Sequence, residues 1–227
     1  MATVVFEDSL TIPPCEALGS FRVWTRSDAF PRHGRIDWVH GRIEVDMSPE
    51  NLFSHGTLKT ELAARIYAVV REDGVGEVFI DRTRVSSAEA DLSVEPDVVF
   101  LSHAALDDGR ARLVAAASGA PEAFIEIEGA PDLVVEIVSD GSVRKDTERL
   151  PVAYAAAGVR ELWLVDARAG EPRLDVLAHT GGGYCRTDAD GAGFALSAVL
   201  RRRVRLRRAT TARGLPRYEL DVAPAPG

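Results

Sequence analysis

The chain has little cysteine, no long apolar run and no excess of positive charge. Cys15 and Cys185 are its two cysteines. Two thiols so far apart make no disulfide framework, and no CxxC pair exists for a structural zinc site. A reducing compartment is the default for such a chain, so a cytoplasmic location is expected. No stretch of about 18 or more apolar residues occurs, so no helical membrane span is expected. The opening residues, MATVVFEDSLTIPP, lack a basic start followed by an apolar segment, so they do not read as a secretory signal. No internal repeat and no linker stand out.

The 227 residues are 46% hydrophobic and 27% charged, an ordinary globular composition that excludes a disordered tail or a collagen-like fibre. There is enough apolar material for a full core, and the length suits one domain. Residues 1–20, with Pro13-Pro14, read as an irregular arm, and 21–227 as a single domain. Lys and Arg number 27 against 35 Asp and Glu, for a net charge of −8. A protein that coats nucleic acid without selectivity is normally basic. The charge is uneven, however. From Leu200 onward there are eight Arg and two acids, so this tail carries +6 and residues 1–199 carry −14. An acidic body with a basic end can still hold a local phosphate site.

Residues 35–47, RIDWVHGRIEVDM, alternate Ile36, Trp38, Ile43, Val45 and Met47 with polar residues about His40-Gly41, which predicts a hairpin with one buried face. Phe21 to Phe30 is compatible with a short helix or a strand. In 51–72 Leu58, Leu62, Ile66 and Val70 recur every four residues, the stripe of an amphipathic helix, with Ser54 as N-cap and Gly74 as its end. EVFID (77–81) and VVFL (98–101) read as strands. DLVVEIVS (132–139) is a nearly continuous apolar strand of the kind covered on both faces. A helix over 146–157 follows, with Pro151 tolerable only in its first turn or at a kink, and Gly158 closes it. ELWLVD (161–166) is another buried strand, and strand–helix–strand predicts a crossover in a mixed sheet. Segments 174–177 and 184–187 flank Gly181-Gly182-Gly183 as a hairpin. The expected architecture is α/β, a mixed sheet flanked by few helices.

Two carboxylates stand out. Asp97 follows Pro96 at the head of a strand, and Glu136 lies inside one. Neighbouring strands carrying one acid each can share a hard divalent cation such as Mg2+, for which Mn2+ can substitute. A metal so held sharpens a water nucleophile and stabilises charge on a phosphate in transfer. Each acid also has a plainer reading. Asp97 could cap a strand or turn, and Glu136 could pair with a core Arg. Asp132, about 13 Å from Glu136 by strand rise, is too far to share one ion and reads as a cap.

The block from Pro131 to Asp166, PDLVVEIVSDGS…KDTERLPVAYAAAGVRELWLVD, resembles the Uma-two family, described as restriction endonucleases of the PD-(D/E)xK superfamily. RIDWVHGRIEVDMSPE resembles the family's early hairpin, FSHGTLKTEL its first long helix and EPDVVF its central Asp strand, so the resemblance spans roughly 20–222. It implies a restriction-endonuclease-like core with mixed sheet and flanking helices. Asp97 matches the metal-binding Asp and Glu136 the acidic residue of (D/E)xK. The implied reaction is metal-dependent hydrolysis of a phosphodiester bond in DNA. The superfamily's Lys, two residues after the acid, is Val138 here. The alternative Lys that family members carry four residues beyond the Asp matching Asp146 is Leu150 here. The nearest substitutes are Lys145 and Arg149. Arg is no general base at neutral pH, so Lys145 is the expected third catalytic residue and Arg149 a phosphate contact.

Lesser candidates are His55 and Glu61 on the long helix, as accessory ligands, with capping or an exposed helix charge as the plainer readings. Arg203 and Arg205 in LRRRVRLRRAT are phosphate-contact candidates, or else charges guarding an edge strand. Glu126 and Glu128 read as the polar face of a strand. A symmetric homodimer is a further expectation from the resemblance. The absent Lys also leaves room for a nuclease-derived protein that binds nucleic acid or a protein partner without cleaving. The net charge motivates a third reading, a role away from nucleic acid.

Overall fold

A computed structural model describes residues 11–31, 34–116 and 120–226. The first ten residues of the expected arm lie outside the described residues. Helix α1 (Leu18–Thr25) begins inside that arm and buries Leu18, Phe21 and Trp24, so the helical alternative for this segment is the one adopted.

The expected hairpin forms as β1 (Arg35–Val39) and β2 (Arg42–Asp46), with Arg35 opposite Asp46. Its two-residue turn needs left-handed backbone, and His40 and Gly41 have φ of 48° and 75°. A π-helical turn, Leu52–Thr57, then leads into α2 (Leu58–Asp73). Its N-cap is Asn51 rather than Ser54; the Asn51 side chain accepts from the backbone N–H of Phe53 and Ser54 at 2.9 and 3.0 Å. Gly74 at φ 65° ends the helix as expected.

The next strands are β3 (Gly76–Ile80), β4 (Arg84–Ser87), β5 (Leu92–Val94) and β6 (Val98–Ser102). After α3 (His103–Asp107) come β7 (Ala111–Ala115), β8 (Phe124–Gly129) and β9 (Leu133–Ile137). A second π-helical turn, Lys145–Arg149, opens α4 (Leu150–Ala157), with Pro151 in the first turn of α4 and Gly158 at its end. The chain continues through β10 (Glu161–Asp166), β11 (Arg173–His179), β12 (Tyr184–Arg186), β13 (Ala195–Ser197), β14 (Arg202–Thr210) and β15 (Pro216–Pro224).

These strands form two six-stranded mixed sheets and a three-stranded one. The first runs β2-β1-β5-β4-β8-β7 and the second β12-β11-β10-β9-β6-β3. Strands β9 and β10 pair parallel, as the helical crossover between them requires. The sequence pattern predicts the second sheet and the β1–β2 hairpin; the full first sheet, built from short strands, is an addition. The third sheet is β13-β14-β15, so the arginine strand β14 is central in order, where an edge strand is the sequence reading. β13 pairs only with Arg202–Val204, which leaves the rest of that side open.

Side-chain alternation sets the layers. On β9, Leu133, Val135 and Ile137 face α2, where Leu58, Leu62 and Ile66 are fully buried. Each such side chain contributes about 1.5–3 kcal/mol of hydrophobic stabilisation. On the opposite face Val134 packs with Leu150 and Tyr154 of α4 and with Val39, Leu92 and Val94 of the first sheet. Val99 and Leu101 of β6 meet Val85 and Ile127 in the same interlayer. The outer face of the first sheet, Ile36 and Trp38, is covered by Phe21 and Trp24 of α1. Both faces of β1 are therefore buried. Glu126, the expected polar face of β8, is 3% exposed and takes the guanidinium of Arg22 at 2.8 Å. Beyond that helix, Val45 and Met47 of the hairpin stand exposed.

Candidate active site

The two sheets meet at one end in a ring of buried charge. Antiparallel pairing of β6 and β9 puts Val98 opposite Val135, and one step further brings Asp97 beside Glu136. Glu136 points into the interlayer, because its neighbours Val135 and Ile137 pack with α2, while Asp97, just ahead of β6, reaches Arg35 on one side and His55 and Lys59 on the other. Alternation on β1 does the same for Arg35 and Asp37, whose neighbours Ile36 and Trp38 face α1. Both π-helical turns abut this end, a common setting for such turns. One carries His55 and the other Lys145.

Asp97 is 3% exposed and has its two oxygens in different roles. Oδ2 accepts the backbone N–H of Ile137 at 2.7 Å. Oδ1 faces Lys59 Nζ at 3.3 Å, His55 Nε2 at 3.5 Å and an Arg35 Nη at 3.9 Å. Burial opposes its ionisation, but the His55 hydrogen bond and the charges of Arg35 and Lys59 outweigh that and hold its carboxyl far below the usual range. The same contact lifts His55 above its ordinary value against the effect of burial.

Glu136 is wholly buried. Its Oε1 accepts from the Tyr154 hydroxyl at 2.5 Å and its Oε2 from Arg35 Nη2 at 3.1 Å. Burial pushes its pKa up to about 7; Arg35 pulls the other way, and the negative charges of Asp97 and Asp146 add to the rise. Asp146 is raised to about 6, by burial first, against the pull of Lys145 and its Ser142 hydrogen bond. The pair of acids from the sequence thus splits, one firmly ionised and one titrating near neutrality, as expected where like charges share a dry site.

A cleft of about 720 Å³ opens over this ring, and its wall includes Arg35, Glu50, His55, Lys59, Asp81 and Asp97. Glu136 is fully buried and is not part of that wall, whereas its chain neighbours Ile137 and Val138 are. Glu50, His55 and Asp97 each offer one ligand atom, all within 4.8 Å of one another. Carboxylate oxygens with one imidazole suit a divalent cation of the Mg2+ or Mn2+ class, the imidazole favouring the softer Mn2+. The residues therefore fit an ion on Asp97, with His55 and Glu50. Glu136 is close by, with Arg35 on the oxygen that would join such a set.

A sequence model of the Uma2 (Uma-two) family, whose description is "Putative restriction endonuclease", matches residues 20–209. The chain belongs to the Uma2 family. Among solved structures, the crystal structure of a "putative nuclease belonging to DUF820" from Anabaena variabilis aligns with a TM-score of 0.55. The match has 18% identity and covers 81% of this chain and 90% of that one. That likeness is one of fold, and it agrees with the restriction-endonuclease-like architecture. No curated protein matches the chain.

In this Uma2 member the remaining sequence candidates separate. Lys145 donates to Asp37 Oδ2 at 3.0 Å and is not part of the cleft wall. Asp37 in turn accepts the Glu95 N–H at 3.0 Å, so the pair fixes the turn that delivers Asp97. Glu61 points elsewhere, accepting the Leu220 N–H at 3.1 Å and pairing with Arg65. Arg149 pairs with Glu44 at 2.8 Å. Arg203 and Arg205 lie in the third sheet, bound to Asp190 and Asp221. Asp132 is a cap, as its sequence position predicts, accepting the Ser102 N–H at 2.8 Å. Sequence reasoning misses Arg35, Asp37, Lys59 and Tyr154. The hairpin's period-2 pattern does put Arg35 and Asp37 on one face, but a face of charges reads as solvent-facing until a second sheet is known to cover it. No helix among the described residues is long and apolar enough to cross a membrane.

Proposed function

We propose that the protein hydrolyses phosphodiester bonds in DNA with the help of a divalent cation, Mg2+ or Mn2+. The observation that carries this reading is the convergence of Asp97 and Glu136 from adjacent strands, Asp97 in the cleft wall with His55 and Glu50 beside it and Glu136 buried next to that wall. Restriction endonucleases, the class named in the family's description, act on DNA. A bound cation would supply positive charge for the phosphate and an acidified water. Asp97, His55 and Glu50 are the residues to hold it, with Glu136 joining them. The Ile137 N–H turns Asp97 Oδ1 toward the cleft, and Tyr154 fixes Glu136 from behind. Lys145 acts one layer further out, positioning Asp37 and through it the Asp97 turn. Action as a symmetric pair in the cytoplasm extends the same reading.

The test is nicking of supercoiled plasmid in Mg2+ and in Mn2+ by the wild type, Asp97→Asn and Glu136→Gln. Each variant should lose about 10²–10³-fold or more in rate, the cost of removing one group that stabilises developing charge. Cleavage that survives both changes overturns the proposal.

One observation favours a second reading. Asp37, Asp97, Glu136 and Asp146 each feel a cation of the chain itself, and both motif-lysine positions are apolar, Val138 and Leu150. A catalytically degenerate protein would bind DNA with salt-dependent affinity and never cut it. The same assay, paired with a binding measurement, separates the two.

A further inference from the structure

Arg35 opens the hairpin and is not among the candidate acids and bases, yet it stands in the gap between the two central carboxylates. Its Nη2 lies 3.1 Å from Glu136 Oε2, an Nη 3.9 Å from Asp97 Oδ1 and its Nε 3.3 Å from Asp37 Oδ2. Two carboxylates so close need a cation between them to ionise together, and here a guanidinium fills that place. The fit is loose. Among the described residues, the Nη2–Glu136 contact is its carboxylate hydrogen bond, and the buried Nε has no partner in hydrogen-bond geometry. Arg35 is also 22% exposed at its side chain and forms part of the cleft wall, so it has a way out.

The other cations are held more firmly. Lys145 is 6% exposed against Asp37, outside the cleft wall. The Lys59 ammonium has three donors and three carboxylates around it, Glu50 at 3.2 Å, Asp81 at 2.8 Å and Asp97 at 3.3 Å.

We propose that Arg35 is both the internal counter-ion of the metal-free site and the catalytic cation that the motif lacks. It holds the seat between Asp97 and Glu136 until those carboxylates share an ion, then turns into the cleft and takes two oxygens of the scissile phosphate. The planar fork of a guanidinium matches that pair of oxygens, which a lysine cannot do. This rests on the metal-dependent nuclease reading and adds to it the residue that stands in for the lysine absent at Val138 and Leu150.

The test measures metal and DNA binding on the wild type and Arg35→Gln, by titration with Mn2+ and by DNA affinity across a salt series. The variant should bind Mn2+ at least about fivefold tighter, because a like charge has left the seat. It should bind DNA at least about fivefold weaker, with a slope of log affinity against log salt shallower by about 0.9. Misfolding would lower both affinities, so opposite movement is the signature. Wild-type metal binding with an unchanged or weaker value in a folded Arg35→Gln overturns the role of Arg35 and leaves the nuclease reading standing. An unchanged DNA affinity and salt slope does the same. If neither protein binds metal, the metal-dependent reading falls and this inference with it. Should Arg35→Gln not fold, the Arg35 Nε–H resonance of the wild type is followed as Mg2+ is added. A shift that saturates with the metal supports the displacement; a resonance unmoved at saturation overturns it.

Discussion

The cleft between the sheets and the arginine strand at the C-terminal end use the same side chains to opposite effect. In both, an aspartate is pulled far below its usual pKa by neighbouring basic groups, Asp97 by His55, Arg35 and Lys59, and Asp221 by Arg207 and Arg205. Around Asp97 the side chain is 3% exposed; Asp221 is 26% exposed and its arginine partners more so. Water screens the second cluster and not the first. Charge density along a sequence therefore says little about where electrostatics matter. The arginine run is the densest basic stretch of the chain, and Arg203, Arg205 and Arg207 in it are paired with Asp190, Glu219 and Asp221 and Arg202 with Asp73. The cleft and the buried ring beside it draw their charges from β1, α2, β9 and the turn before α4, and it is there that ionisation states are set.

The sharpest way to expose that contrast is to remove a cation from each region. Lys145→Met strips from Asp37 its hydrogen-bonded ammonium, where both side chains are nearly fully buried, and leaves it the longer Arg35 contact at 3.3 Å. Breaking a buried pair by removing one partner costs up to about 3–5 kcal/mol, less what Arg35 still supplies, so the urea midpoint should fall by a sizeable fraction of the protein's stability. A loss below about 1 kcal/mol would put Asp37 in the same screened class as the C-terminal pairs.

Protons probe the same difference more gently. Glu136 has a pKa of about 7 in the fold against an ordinary value of 4.5, so between these values the folded protein binds more protons than the unfolded chain. Stability from this group is full below the unfolded value and is lost as the pH rises through about 7. Asp146, raised to about 6, acts in the same direction. Asp97, lowered, acts oppositely but in a more acidic window, losing its contribution as pH falls below its ordinary value. The metal-free protein should therefore lose stability from Glu136 between pH 5 and pH 7.5, and Glu136→Gln should flatten that part of the melting profile. Identical slopes in the two proteins would mean that Glu136 is ionised throughout.

Much of this architecture is written locally, and the site is written only in part. Strand β10 begins and ends where ELWLVD does, and α2 ends at Gly74, because a continuous apolar run and a left-handed cap are local signals. Asp97 and Glu136 were legible as acids beside and within apolar strands. What surrounds them was not, because a pairing partner 40 or 100 residues away leaves no local trace. Arg35 and Asp37 look like the wet face of a hairpin until the second sheet covers them. Lys145 was legible as a candidate but not in its contact: it fixes a neighbouring acid instead of lining the cleft. The cap of α2 was misplaced by three residues because Ser54 and Asn51 are both good caps, and the π-helical turn shifts the start.

The smallest effect is the one that decides what the C-terminal arginines are for. Arg203 and Arg205 stack over Phe194 at 5.4 and 4.5 Å and bind Asp190 and Asp221 at 2.9 and 2.8 Å. A phosphate approaching them meets guanidiniums already neutralised by neighbouring carboxylates, Asp221 on β15 and Asp190 in the connection before β13, so little counter-ion release remains to be gained there. Arg203→Ala with Arg205→Ala should leave the melting temperature nearly unchanged and the salt slope of DNA binding unaltered. In the cleft a single change, Arg35→Gln, should reduce that slope. If the double variant flattened the slope and Arg35→Gln did not, nucleic acid would run along β14, and the cleft would be the structural region of the pair.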